Sequence, residues 1–439
     1  MRKVELLSPA GDLERLKIAC LYGADAIYIG GREYSLRANA TNFSLEEIKE
    51  GCSFAHELGK KVYLTLNIVF HNEDINGVYD YIKSVVDCGI DAFIVSDLFL
   101  VKYIKDNFKV EVHLSTQDSV TNLESVKYLE KERVDRVVLA REVARDDIKK
   151  IIAETNMDIE VFIHGAMCTF VSGRCVLSNY FTNRDANRGG CAQICRFCFD
   201  LDDHKNPFSM AVKDLNMARY IKDMIEIGIT SFKIEGRMRS PFYLATVLSS
   251  YRRIIDAVYE NNLTDDLLEK EIKILSRVSN RENSTHFYDH KADLSDQYYS
   301  GRQEASNQDY LGIITAKKDG YYQLKQRNYF KLGDKIEIIT PKMDIIEVIV
   351  DNIYNDKMEA IEVANQADSN YAMKNKKDFI LKILEKGVLN DDGEPLGFEL
   401  LSKMPMGVVT ELYKYIADIS GVKENKEEQY KLTRELMGF

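Results

Sequence analysis

The chain has 439 residues, 45% hydrophobic and 29% charged, with 24 glycines and only 6 prolines, the composition of a globular protein long enough for one large domain and one or two smaller ones. Its net charge of −11 excludes a generally basic nucleic-acid binder. No apolar run approaches the roughly 20 residues that span a bilayer, and charges closely flank the short apolar stretch in MRKVELLSPAGDLERL, so neither a membrane span nor a signal peptide is expected.

Along the first two-thirds one theme repeats: a short apolar strand, a polar or glycine-rich turn, then a helical stretch. The predicted strands are VELLSP (4–9), DAIYIGG (25–31), KVYLTLN (61–67), DAFIVSD (91–97), EVHLSTQ (111–117), VDRVVLARE (134–142), IEVFIHG (159–165) and SFKIEGR (231–237). Their centres are β-branched, aromatic and nearly continuous in hydrophobicity, as strands buried on both faces of a parallel sheet should be. Amphipathic segments such as LERLKIACLYG lie between them, with apolar residues at helical spacing and a glycine at the end. Eight strands each followed by a helix predict a (βα)8 TIM-like barrel over residues 1–300. A doubly wound open sheet competes with it, but no GxGxxG or Walker-type loop supports that architecture.

About 65 residues separate the seventh and eighth strands, and that insertion holds five of the eight cysteines. Barrel enzymes build their sites from loops at the C-terminal ends of strands, so chemistry is expected there. Near Tyr310 the pattern becomes antiparallel: YLGIITAKKDGYYQLKQRNYFKLGDKIEIITP alternates apolar and polar residues between glycine turns, which predicts a small β-barrel domain over 306–384. Residues 385–439 carry 11 acidic against 7 basic residues and read as a helical acidic tail, a solvated face.

A cytoplasmic address is expected, where thiols stay reduced, so the cysteines are metal ligands, catalytic thiols or core filler rather than disulfides. Core filler suits Cys20, Cys52 and Cys88, which sit singly in predicted helices. It does not suit Cys168, Cys175, Cys191, Cys195 and Cys198, which fall within HGAMCTFVSGRCVLSNYFTNRDANRGGCAQICRFCF. Soft thiolates so clustered hold zinc or an iron–sulfur cluster. The gaps are six, fifteen, three and two residues, so only the last pair forms the CxxC knuckle that structural zinc favours.

EVFIHGAMCTFVSGRCVLS resembles the signature segment of peptidase family U32, long labelled collagenase-like. The similarity continues through NYFTNRDANRGGCAQICRF and KIEGRMRSPFYLATVLSSYRRIID, and covers the opening SPAGDLERLKIACLYGADAIYIGG. Length and the trailing β-domain look most like the tRNA-hydroxylating branch, which installs a hydroxyl on carbon 5 of the wobble uridine. The resemblance implies a barrel carrying a 4Fe-4S cluster, with prephenate as co-substrate and the anticodon loop of tRNA as partner. By position the ligands would be Cys168, Cys175, Cys191 and Cys195. Cys198 departs from the family pattern and stands as a fifth candidate ligand.

Other residues take candidate roles beside the cluster. Arg174, Arg184, Arg188 and Arg196 punctuate the insertion and would supply cations near an anionic cluster. Prephenate is a dicarboxylate, and arginines are the fitting clamp. Arg32, Arg141 and Arg237 follow directly on predicted strands. His164, which ends the seventh strand, is a candidate proton donor, and Glu142 and Glu235 are strand-end acids. Tyr180, Phe181, Phe197 and Phe199 are candidates for stacking an unpaired base.

Three alternatives accompany this reading. One is a peptidase, although no HExxH or GxSxG is present. Another is a radical S-adenosylmethionine enzyme using Cys191, Cys195 and Cys198, or a hydroxylase of ribosomal RNA or a quinone. The third is a structural metal site on a non-enzymatic scaffold.

Overall fold

A computed structural model describes residues 3–36, 42–200, 208–278, 281–299, 309–318, 321–341, 345–367 and 369–373. Each predicted barrel strand is present, as β1 (Glu5–Pro9), β2 (Ala26–Gly30), β3 (Lys61–Leu66), β4 (Ala92–Val95), β5 (Glu111–Leu114), β6 (Arg136–Val138), β7 (Asp158–Gly165) and, after a short insertion strand β8 (Asp214–Asn216), β9 (Ser231–Ile234). Strands β1 to β7 pair in parallel in sequence order, and β9 pairs in parallel with both β1 and β7. Ser231 stands opposite Glu5 on one side and Glu160 on the other, so the eight parallel strands close into a TIM-like barrel. Strand β8 is outside the ring and runs antiparallel to β7, pairing Asn216 with His164.

Helices cover the ring: α1 (Leu13–Leu21), α2 (Leu45–Glu57), α3 (Ile75–Val86), α4 (Leu98–Asn107), α5 (Leu123–Lys131), α6 (Arg145–Glu154), then α7 (Leu177–Thr182) in the insertion, α8 (Ile221–Glu226), α9 (Pro241–Tyr259) and α10 (Asp265–Leu275). Their starts are written locally. Asp12, Ser44, Asp97, Asn122, Ser240 and Thr264 each accept a first-turn backbone N–H, and each such cap is worth about 1 kcal/mol. Among the described residues no helix is long and apolar enough to cross a membrane.

Strand alternation splits the core. Leu6, Ile27, Ile29, Val62, Leu64, Phe93 and Val95 pack outward against the helices. Leu7, Ala26, Tyr28, Tyr63, Ala92 and Ile94 pack together inside the ring. The lumen is not wholly apolar. Arg136 donates from Nη1 to Glu5 Oε1 at 2.6 Å and to Glu160 Oε2 at 3.1 Å, Lys233 Nζ donates to Glu160 Oε1 at 2.6 Å, and the Tyr63 hydroxyl donates to Glu5 Oε2 at 2.7 Å. Burial opposes ionisation of Glu160, but Lys233 and Arg136 outweigh it and hold that carboxyl down at about 2.

The chain divides into two units, Met1–Asn307 with Ile339–Ile345, and Gln308–Ile338 with Ile346–Phe439. The second contains antiparallel sheets. The largest has five strands in the order Gly312–Lys318, Tyr321–Gln326, Asn370–Met373, Ile353–Tyr354 and Ala360–Ile361, over a core of Leu324, Phe330, Val350, Ile353 and Tyr371. The end of the predicted β-domain, 374–384, and the predicted helical tail, 385–439, lie outside the described residues.

Candidate functional site

The C-terminal ends of the barrel strands and the loops after them enclose a cavity of about 460 Å³, within the range of small-molecule sites. Tyr28, Thr65, Ile94, Phe162 and Lys233 reach it from β2, β3, β4, β7 and β9. The insertion supplies another wall, and Cys168, Cys175, Cys191 and Cys195 all line it. Residues 23 positions apart in sequence, Cys168 and Cys191, thus face one space.

Specific bonds hold the insertion in place. Glu142, just after β6, accepts the Ser172 backbone N–H at 2.9 Å and its hydroxyl at 3.0 Å. Ser172 sits between the first two cysteines with φ of +47°, a left-handed conformation that costs a non-glycine residue about 1 kcal/mol or more. Glu142 is therefore a support for the cysteine loop. Asn187 accepts the Cys175 N–H at 3.1 Å and donates to the Cys175 carbonyl at 2.9 Å, and the Ala192 N–H reaches Ser178 Oγ at 3.0 Å. Arg188 donates to the Val69 carbonyl at 2.7 Å and to Asp74 Oδ1 at 2.9 Å, and this arginine is the main cause of the lowered Asp74 pKa.

All eight cysteines are free thiols. Burial pushes Cys168, Cys175 and Cys195 above the ordinary thiol value, and each is raised further by others of the set: Cys168 by Cys195 and Cys191, Cys175 by Cys168 and Cys191, Cys195 by Cys191 and Cys175. The four are thus within electrostatic reach of one another. A pocket that favours the protonated thiol holds thiolates only against a compensating positive charge, which a metal centre supplies. Donors already face the sulfurs. The Leu177 N–H reaches Cys175 Sγ at 3.4 Å and the Phe170 backbone donates to Cys168, while the Thr169 hydroxyl beside Cys195 donates to the Met210 carbonyl at 2.7 Å.

Among the described residues no three Cys, His, Asp or Glu side chains are arranged around one metal ion. Thiolates about a tetrahedral zinc, with bonds of about 2.3 Å, stand roughly 3.8 Å apart. A four-iron cluster is a wider body that holds its thiolates further apart. Four thiols around one cavity, with backbone N–H donors at Cys175 and Cys168, are a soft ligand set of the kind that zinc and iron–sulfur clusters both use.

The remaining candidate residues divide. Arg141 lines the cavity, donates from Nη1 to the Ala166 carbonyl at 2.9 Å, stacks 3.9 Å from the Phe162 ring centroid, and has Glu235 Oε2 3.9 Å away. Glu235 also lines the cavity and accepts the Tyr28 hydroxyl at 3.4 Å. Arg237 is buried against the wall and donates to Ser35 Oγ at 2.8 Å and Thr65 Oγ1 at 3.2 Å. Gly30 is what lets it pass, since a Cβ there would fall 2.1 Å from Arg237 Nη1. Arg196 reaches the cavity as well, donating to Gln193 Oε1 at 3.1 Å.

Four expectations are corrected. His164 is not on the cavity wall. It is buried, with Nδ1 3.2 Å from the Tyr251 hydroxyl, and burial lowers its pKa to about 4, so at neutral pH it is an uncharged core group rather than a proton donor. The ladder slips between Phe162 and His164, and such an irregularity re-aims the side chain that follows it. Cys198 is exposed and outside the cavity. Arg32 is exposed and off the wall. Arg174 is also off it, donating to the Gln117 carbonyl at 2.9 Å and standing 3.6 Å from Asp118, which fastens the insertion to the loop after β5.

Lys233 and Tyr28 were missed from sequence. Lys233 Nζ lies 4.6 Å from the Tyr28 ring centroid and 5.6 Å from that of Phe162. The available signal was a charge at the centre of an otherwise apolar strand, SFKI, mirrored by Glu160 in IEVF.

Two family models match the chain, Peptidase family U32 over residues 11–297 and the Peptidase family U32 C-terminal domain over 306–382. A Bacillus subtilis relative, tRNA hydroxylation protein P1, is 41% identical over 379 residues, covering 83% of this chain and 90% of the relative. The Escherichia coli tRNA hydroxylation protein P is 30% identical, covering 83% and 92%. A Porphyromonas gingivalis protein named collagenase is 32% identical, covering 80% and 89%.

Proposed function

The chain belongs to peptidase family U32, and from that premise we propose that it is a cytoplasmic iron–sulfur enzyme that hydroxylates tRNA at carbon 5 of the wobble uridine, with prephenate as co-substrate. The observation that carries the reading is the meeting of Cys168, Cys175, Cys191 and Cys195 on one cavity at the barrel mouth. The names of the Bacillus and Escherichia relatives direct it toward tRNA.

Those four thiols would hold the cluster, which when bound supplies redox and Lewis-acid chemistry. The protein's own residues do the rest. Arg141 and Arg237 present fixed positive charge to the cavity, suited to the two carboxylates of prephenate. The Phe162 ring centroid lies 3.9 Å from the Arg141 guanidinium carbon, and Ser35 and Thr65 hold Arg237, so neither cation needs to be ordered when an anion arrives. Glu235 is a proton acceptor on the same wall, 3.4 Å from the Tyr28 hydroxyl, which also donates to the Ile234 carbonyl at 2.9 Å.

The collagenase-like reading has the Porphyromonas relative's name behind it. Against it, among the described residues no histidine lines the cavity, and His164 is bonded to Tyr251, so no described imidazole stands as base to a thiol there. Nucleoside analysis of tRNA from a strain lacking the gene decides between them. Loss of wobble 5-hydroxyuridine, restored by the wild-type gene and not by Cys168→Ser, is expected; unaltered tRNA nucleosides together with collagen cleavage by the purified protein would overturn the proposal.

A further inference from the structure

Helix α7 turns the cavity wall into an outer surface within six residues. Leu177 and Ser178 line the cavity, whereas Tyr180 and Phe181 face outward, 85% and 60% exposed. Large rings left in water at such levels are unusual on a surface with no partner. They are not on a loose tip. Ser178 Oγ accepts the Ala192 N–H at 3.0 Å, and the Ser178 carbonyl accepts the Thr182 hydroxyl at 2.8 Å and the Arg184 N–H at 3.2 Å. The helix is thereby tied to both sides of the cysteine loop. Phe181 continues into Phe199, 6.3 Å away between ring centroids, and Phe199 into Phe197 at 6.4 Å.

Charge selects the occupant. Residues 171–200 carry Arg174, Arg184, Arg188 and Arg196 against Asp185 and Asp200 in a chain whose net charge is −11; Arg188 is paired with Asp74, and Arg174 stands 3.6 Å from Asp118. Arg174 and Arg184 are exposed. Exposed aromatic faces set among cations are the recognition chemistry of unpaired nucleotides: each base offers a π-face, and the backbone offers phosphates. A duplex, whose bases are already stacked on one another, gains nothing from such rings.

We propose that Tyr180 and Phe181 form a ledge on which unpaired RNA bases stack beside the nucleotide that enters the cavity. The inference rests on the tRNA-hydroxylase reading and adds the surface that receives the anticodon loop. It assigns α7 two duties: its first turn closes the cysteine pocket, and its second holds the neighbouring bases.

Fluorescence anisotropy of the full chain with a labelled anticodon stem-loop, and with an RNA duplex lacking a loop, tests it. Tyr180→Ala and Phe181→Ala should each weaken stem-loop binding by roughly fivefold to a hundredfold, the range of one base–aromatic stack, and leave duplex binding unchanged. Tyr180→Phe, which keeps the ring, should bind the stem-loop as wild type does. Wild-type binding that neither alanine variant weakens overturns the ledge and leaves the tRNA reading standing. Failure of the wild-type chain to bind the stem-loop overturns both. A wild-type dimer that Tyr180→Ala converts to monomer, with RNA affinity unaltered, overturns the ledge in favour of a self-interface.

Discussion

At the N-terminal end of the barrel strands Arg136 divides its Nη1 between Glu5 at 2.6 Å and Glu160 at 3.1 Å, whereas at the C-terminal end Arg141 has Glu235 no nearer than 3.9 Å. Both arginines sit beside an aromatic ring, Tyr63 at 5.6 Å for the first and Phe162 at 3.9 Å for the second. The first is buried among acids and serves the fold; the second borders a cavity and has capacity to bind a ligand. Lys233 joins the two ends, since its Nζ is held by Glu160 while its side chain lines the cavity. Charge in a lumen is therefore not by itself a sign of function. What distinguishes the ends is whether the partners are already in place.

The largest effect should come from breaking the mouth. Replacing Cys168, Cys175, Cys191 or Cys195 by Ser should abolish iron and sulfide content, measured after anaerobic purification, and with it tRNA hydroxylation. Retention of full iron content by Cys168→Ser would remove that residue from the set.

Breaking the closed end should do something different. Glu160→Ala leaves Arg136 and Lys233 buried without their shared acid, a change worth about 3–5 kcal/mol of stability, read from urea denaturation. Iron content per folded molecule should be kept.

The neutral His164 makes a pH prediction. Its folded pKa, about 4, lies below the usual 6.5, so the unfolded chain binds its proton first as pH falls. The histidine's contribution is complete above pH 6.5 and declines between 6.5 and 4, by an amount on the order of 3 kcal/mol. Denaturation of wild type and His164→Phe at several pH values checks it: the wild type should lose more stability across that interval, whatever the offset between them.

A smaller loss belongs to Arg141→Ala. Removing one charged hydrogen-bonding group from the mouth should lower kcat/KM for hydroxylation about tenfold to a hundredfold, with stability changed far less than by Glu160→Ala. Equal destabilisation by the two substitutions would erase the distinction between the ends. Cys198→Ser, at an exposed position off the cavity, should change neither iron content nor activity.

All eight barrel strands were legible because a parallel strand buried on both faces must be β-branched and apolar along its length, and DAIYIGG or DAFIVSD states this without reference to anything distant. The cysteine set was half legible. Clustered thiols announce metal chemistry, but spacings of six, fifteen and three residues do not say which sulfurs face one space, and spacing by itself left Cys198 a fifth candidate beside the four that the family resemblance implied. His164 was misplaced and Lys233 overlooked for a shared reason. Both lie on barrel strands, β7 and β9, where side-chain direction depends on register, and a slip between Phe162 and His164 leaves no trace in composition.

Local patterning alone thus determined the alternation of strands and helices, the helix starts and the clustering of soft thiols, since each depends on residues near in sequence. Tertiary structure decided which charges were neutralised, which thiols converged and which rings stayed in water. The charges are neutralised by groups from strands more than a hundred residues apart, as with Glu5 and Arg136. The thiols meet only through the folding of the insertion between Cys168 and Cys195, and no local pattern encodes such a meeting.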